Sequence, residues 1–169
     1  MAGFADLLAT HAGHGRVEWI GLRPERLAPV TSVEQSMLEF QGFVGDHGRP
    51  GKRAVTLIQA EHLPVIAALA QGDQVQPEML RRNIVISGIN LTALRHARLM
   101  IGDAEVAISV PCAPCSRMEK ALGTGGYNAM RGHGGWCAEV KVPGRVAVGD
   151  KVYVVPAALD AGFANQPVP

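Results

Sequence analysis

The stretch Gly144–Val155, GRVAVGDKVYVV, decides the fold class. Two valine-rich runs with alternating apolar side chains flank a Gly149-Asp150 pair. β-Branched residues suit a pleated, half-buried surface, and Gly-Asp suits a tight turn, so the segment predicts two short strands. Working outward, the same signal recurs in Ala138–Val142, Ala104–Val110, Leu99–Ile101, Asn83–Ser87 (NIVIS), Ala54–Ile58 (AVTLI) and Gly15–Leu22 (GRVEWIGL). Leu27–Leu38 predicts extended segments with a bend. The 20 Gly and 11 Pro are spread through the chain rather than clustered, which divides it into many short elements. Short strands joined by turns, without regular strand–helix alternation, predict a barrel or a sandwich.

Helical patterning is sparse. Residues 4–11 (FADLLATH) predict a short helix that ends in the break at Ala12–Gly15. Glu61–Leu69 has helical spacing and admits Pro64 only in a first turn, where its missing N–H would be unpaired anyway. Pro77–Arg82 predicts a short helix or turn, and Ser116–Leu122 (SRMEKAL) predicts a further short helix. Gly42–Gly51 (GFVGDHGRPG) reads as a loop. From Ala157 onward the chain is rich in Ala and Pro and predicts a poorly ordered tail.

A chain of 169 residues, 47% hydrophobic, fits one domain with a substantial core. The net charge is +1, with Lys and Arg scattered, so no basic tract exists to track nucleic acid. No apolar run approaches the roughly 20 residues that would span a bilayer, and no secretory leader pattern opens the chain. These readings predict a cytoplasmic protein with neither nucleic acid nor membrane as partner. Three cysteines do not make a disulfide framework, so reduced thiols are expected.

Chemistry concentrates in Val110–Met118, VPCAPCSRM. A strand runs into Pro111, and Pro114 directly precedes Cys115 with its rigid φ. Cys115 then stands at or just before a helix start, with Ser116 a candidate cap. Unpaired N–H groups and the nearby Arg117 favour a thiolate there, which is both nucleophile and soft metal ligand. Other readings of the cysteines stay open: half of a zinc site completed by His133 and Cys137, a thioredoxin-like motif, or plain burial. Cys112 is either structural or a resolving thiol, and Cys137 with Trp136 reads as packed barrel edge.

Four further segments carry polar residues. In GFVGDH, Asp46 and His47 either line a polar pocket, with His47 as proton donor, or form an Asp-anchored turn. Glu61 reads as a complement to a helix start. In LRRNIVISGINL, Arg82 and Asn83 can grip an oxyanion such as a phosphate, whereas Arg81 reads as a charged strand edge. The loop Gly123–Gly135, GTGGYNAMRGHGG, has six glycines but no phosphate-loop signature, and Arg131 and His133 are its residues able to meet a ligand.

In this order, GFVGDH, KRAVTLIQAEHL, LRRNIVISGINL, IGDAEVAIS, PCAPC and GRVAVGDKV resemble the MOSC family, named for the C-terminal domain of molybdenum cofactor sulfurases. The resemblance spans roughly Val17–Val155. It implies a β-rich α+β fold, a mixed closed β-barrel with a few peripheral helices. The domain reading is then an N-terminal helical extension over 1–15, the barrel domain over 16–156 and a flexible tail over 157–169. It further implies that Cys115 either coordinates molybdenum, as in reductases of N-hydroxylated compounds, or carries sulfur as a persulfide. Arg82 and Asn83 would approach the phosphate of the molybdenum cofactor (molybdopterin), with Arg131 and His133 beside it. His47 or Asp46 would supply protons while an N-hydroxylated substrate loses its oxygen. Pyridoxal phosphate binding is also associated with the family. The sequence holds neither a second β-barrel nor a desulfurase domain, so the partner implied is an electron-donor reductase or a cysteine desulfurase. A non-catalytic ligand-binding module is a third reading, and the resemblance leaves a homodimer open.

Overall fold

Strands form where the sequence predicts them, and they close on themselves. The structure, a computed structural model, describes residues 3–156, so the tail expected to be flexible, 157–169, lies outside the described residues. The strands are β1 (Gly15–Leu22), β2 (Thr31–Val33), β3 (Gln35–Glu39), β4 (Gly42–Phe43), β5 (Val55–Gln59), β6 (Ile84–Ser87), β7 (Arg98–Ile101), β8 (Ala104–Pro111), β9 (Trp136–Val142), β10 (Gly144–Ala147) and β11 (Lys151–Val154). The helices are α1 (Phe4–Ala9), α2 (His62–Leu69), α3 (Pro77–Leu80), α4 (Ser116–Leu122) and α5 (Gly126–Met130), with a 3-10 turn at Leu91–Leu94.

Seven strands form the ring β1–β11–β7–β8–β9–β5–β6, which returns to β1. Only the β5–β6 pairing in it is parallel, with Leu57 opposite Ile84; the others are antiparallel. This is a mixed closed β-barrel, and closure removes the exposed strand edges that an open sheet would leave. β2 adds to the far half of β1, where Ile20 faces Val33.

The two strands of the opening stretch form as expected, yet they do not pair with each other. β10 joins β3 and β4 in a separate three-stranded sheet, whereas β11 pairs with β1 and β7. The connection between them is gripped from both sides. Val148 N–H donates to Glu34 O at 2.8 Å, and Gly149 N–H donates to Val17 O at 2.8 Å. Asp150 closes the turn by accepting from Ala147 N–H at 2.8 Å.

The Gly42–Gly51 segment, expected as loop throughout, begins as strand β4. Gly42 permits this, since its φ is +110° and a Cβ there would lie 2.5 Å from Ala54 O. The Gly-rich 123–135 stretch likewise contains α5 rather than loop alone.

Two apolar clusters organise the molecule. The barrel interior packs Val17, Ile20, Leu57, Ile84, Ile86 and Leu99 with their neighbours. A second cluster lies outside the barrel wall, where Ile58 and Val85 meet Ile66, Leu80, Met118 and Met130. Every residue of β5 is consequently buried, the pattern expected of a strand covered on both faces. That outer cluster seats α2, α3, α4 and α5 on one side of the barrel, and the candidate site is built there. No helix among the described residues is long and apolar enough to cross a membrane.

Candidate functional site

β8 ends at Pro111, and α4 starts five residues later at Ser116. The residue in the capping position is Cys115 itself, one earlier than the Ser116 cap expected, with φ −130° and ψ 174°. Its carbonyl accepts from Met118 N–H at 2.8 Å, and Met118 is 2% exposed in the outer cluster. The helix is thus anchored by its buried methionine, while the Cys115 thiol at its start is exposed.

Arg81 brings cations to this thiol. It sits just after α3 with φ +56°, a left-handed conformation that costs a non-glycine residue roughly 1–2 kcal/mol. Its guanidinium donates to Ala28 O at 2.5 Å and Arg26 O at 3.3 Å. Arg117 donates to the same Arg26 carbonyl at 3.1 Å. Burial, then the proximity of Arg117 and Arg23, pulls the Arg81 guanidinium below its ordinary value; Asp46 and Cys115 pull it the other way. Three guanidinium groups and the Cys115 thiol therefore share one electrostatic neighbourhood.

The one carboxylate named there is already engaged. Asp46 accepts from Arg23 three times: from its backbone N–H at 2.6 Å, from Nε at 3.0 Å and from Nη2 at 2.7 Å. Its side chain is fully buried. A buried carboxylate held by a charged fork is an anchor for Arg23, not a proton source. His47 is exposed, and its Nδ1 lies 2.6 Å from Arg23 O. A carbonyl can only accept, so Nδ1 carries the proton and Nε2 is the nitrogen left to meet a ligand.

Arg82 and Asn83, expected to grip a phosphate, point into the fold. Arg82 donates to Gly134 O at 2.7 Å, Leu80 O at 2.8 Å and Cys112 O at 3.2 Å, and is 7% exposed. It staples the Gly-rich segment and the PCAPC segment together. Asn83 donates to Gly21 O at 3.0 Å, and its Oδ1 accepts from Thr56 and from Arg23 Nη2. Arg23 and Arg81 are the residues that sequence reading missed. Arg23 belongs to none of the quoted motifs, and Arg81 differs from Arg82 only through a backbone angle.

Arg131 is exposed just after α5. His133 packs edge-on against His62, ring centroids 5.1 Å apart, and its buried Nδ1 has no hydrogen-bond partner. Burial, then the neighbouring His133, lowers the pKa of His62. Cys112 and Cys137 form a second pair. Cys112 is half-buried and Cys137 buried on the neighbouring strand; Cys137, foremost, draws Cys112 toward the thiolate, and Cys112 together with burial pushes the Cys137 thiol up. Arg82, Arg23 and Arg53 reinforce the Cys112 thiolate. His133 and Cys137 thus face different partners, and no group of three or more metal-ligating His, Cys, Asp or Glu side chains exists among the described residues.

A closed mixed barrel with a cysteine at the strand-to-helix junction invites comparison with known families. A match to the MOSC domain runs over residues 31–153. The chain belongs to the MOSC domain family. The barrel, the outer helices and the PCAPC segment all fall within or flank that match. Among solved structures, this MOSC domain is similar to the YuaD protein of Bacillus subtilis, with a TM-score of 0.74 and 18% identity over 83% of this chain and 94% of that one. It is also similar to YiiM from Geobacillus stearothermophilus, with a TM-score of 0.70 and 17% identity over 87% and 78% of the two chains. YiiM from Escherichia coli aligns with a TM-score of 0.67 and 21% identity over 84% and 70%. At these identities the likeness is one of fold. No curated protein matches the chain.

Proposed function

We propose that this MOSC domain binds the molybdenum cofactor on the face of Cys115 and supports reduction of N-hydroxylated compounds. The observation that carries the reading is the exposed Cys115 thiol sharing its surroundings with the guanidinium groups of Arg23, Arg81 and Arg117. A thiolate is a soft donor suited to molybdenum. Guanidinium groups suit a phosphate, since they stay charged and present fork-shaped donors. The residues present therefore fit a group that carries both a metal and a phosphate. Arg81 and Arg117 would hold the phosphate end, in place of the inward-facing Arg82 and Asn83, and Cys115 would hold the metal.

When bound, the cofactor supplies oxygen-atom transfer. The chain's own residues do the rest. Arg81 and Arg117 would set the positive field of the site, while Arg23, its charge paired with Asp46, would fix the chain beside them. The Nε2 atom of His47 is suited to hand over a proton when the ring is doubly protonated. The loop around Arg26 and Ala28, tied down by Arg81 and Arg117, walls the site from one side. Electrons would come from a separate reductase.

Molybdenum and pterin analysis of protein made in a cofactor-producing host tests this. Near-stoichiometric molybdenum in the wild type, lost in Cys115→Ala and reduced in Arg81→Ala, is the expected result. Molybdenum absent from the wild type overturns it. The exposure of Cys115 also suits receipt of sulfur from a cysteine desulfurase; in that case the same protein gains one sulfur on Cys115 by mass spectrometry.

A further inference from the structure

Neither of the other two cysteines takes part in that reading, yet they form the most chemically distinctive pair in the molecule. Cys112 is the first residue beyond β8, and its N–H donates to Gly135 O at 2.9 Å. Its carbonyl accepts from Arg82 at 3.2 Å. Backbone pinned on both sides sets where the sulfur points. Opposite it runs β9, with Pro111 facing Trp136, so Cys112 stands across from Gly135. Cys137 is two residues further along β9, on the same face, a diagonal neighbour by strand geometry. Its backbone is held by Thr56 in register on β5 and by the Ser109 hydroxyl, which donates to Cys137 O at 2.9 Å. The register thus makes the two thiols neighbours across the strand pair, and Cys137 is the foremost influence drawing the Cys112 sulfur toward the thiolate.

A cleft of about 210 Å³ leads to Cys112, with Cys137 buried behind it. Cys112 lines it together with Pro111, Pro114, Met130 and Trp136, and Cys115 does not. The walls are mostly apolar, whereas the field at the sulfur is positive, from Arg82, Arg23 and Arg53. This arrangement admits a small uncharged oxidant and offers it an activated sulfur with a second thiol beside it on the neighbouring strand.

We propose that Cys112 and Cys137 form a second thiol centre, separate from Cys115, that reacts with hydroperoxides and closes to a disulfide between the end of β8 and β9. The Cys112 thiolate attacks one peroxide oxygen, the O–O bond breaks and hydroxide or alkoxide leaves. Cys112 becomes a sulfenic acid, two electrons having passed to the peroxide. The Cys137 sulfur then attacks the Cys112 sulfur and the S–O bond breaks. The departing hydroxide takes the Cys137 proton as water. The sum is two thiols and one hydroperoxide giving one disulfide, one water and one alcohol (or a second water). Low-molecular-weight thiols reverse it by thiol–disulfide exchange. The disulfide would fasten the first residue of the segment that presents Cys115. Cys112, which the sequence offered as a resolving thiol for Cys115, takes Cys137 as partner instead.

The test uses cofactor-free, full-length protein, reduced, desalted and exposed to one equivalent of hydrogen peroxide at pH 7. Remaining thiols are alkylated, and the digest is read by tandem mass spectrometry. The expected product is a Cys112–Cys137 linkage, two hydrogens lighter, with Cys115 alkylated. The Cys115→Ser variant gives the same linkage at the same rate, and Cys137→Ala stops at a Cys112 sulfenic acid that dimedone captures. A Cys112–Cys115 linkage, oxidation confined to Cys115, or three thiols that all stay alkylatable overturns the proposal. Because no cofactor is present, the outcome is independent of whether the domain binds molybdenum.

Discussion

At the scale of single residues, adjacent side chains of the same type take opposite parts. Arg81 and Arg82 are neighbours in sequence, yet one faces the Cys115 region and the other is buried against three carbonyls. The left-handed turn at Arg81 makes the difference. Arg81→Gly relaxes that backbone while removing the cation. Its expected outcome is a urea midpoint close to the wild type, because relief of strain and loss of the bonds to Ala28 and Arg26 oppose each other, with molybdenum retention falling at least several-fold. A large loss of stability instead would make Arg81 a structural residue. Asp46 behaves in the contrary way. Asp46→Asn strips the charge from a fully buried partner of Arg23 and is expected to cost about 3–5 kcal/mol in chemical denaturation. A variant that is inactive but fully stable would restore Asp46 as a proton source.

At the scale of elements, α4 presents the thiol and the outer cluster holds α4. Its seven residues are too few to be stable in isolation, so packing of Met118 beside Met130 and Leu80 decides whether it forms. Met118→Ala is expected to destabilise the domain by about 2–5 kcal/mol. Alkylation of Cys115 should then lose any dependence on the native fold, which a comparison of rates with and without urea reads directly. The Gly-rich segment is equally constrained. Gly135 has φ +88°, and a Cβ there would lie 2.0 Å from Leu57 O, on a strand that cannot yield. Gly135→Ala is expected to cost about 3 kcal/mol or more, from backbone strain and overpacking together. What reads in sequence as a flexible loop is therefore a close backbone approach between the Gly-rich segment and β5.

At the scale of the whole molecule, the barrel joins distant segments into one proton-sensitive unit. His62 from α2 and His133 from the Gly-rich segment pack edge-on, and burial with the neighbouring ring holds His62 below its ordinary value of 6.5. The unfolded chain therefore takes up a proton that the folded one resists. The corresponding stability is complete above pH 6.5 and is lost as pH falls through and below that value. Denaturation midpoints at pH 7.5 and 5.5 should differ in that direction, and His62→Gln should shrink the difference; an unchanged difference would assign the acid sensitivity elsewhere. The amino-acid sequence by itself determined the strands, since valine-rich alternation between glycine turns is a local signal, and the MOSC motif order pointed to a closed barrel. It also singled out Cys115 at the junction of strand and helix, because Pro114 and the helical SRMEKAL run lie next to it. The partners were decided only by tertiary structure. β10 and β11 are neighbours in the chain yet belong to different sheets, Arg23 meets Asp46 from 23 residues away, and Cys112 comes to stand beside Cys137 across the β8–β9 pair. Hydrogen-bonding and ion-pair partners depend on which faces the closed barrel turns inward, and that choice is made by the packing of the whole chain, not by any local run of residues.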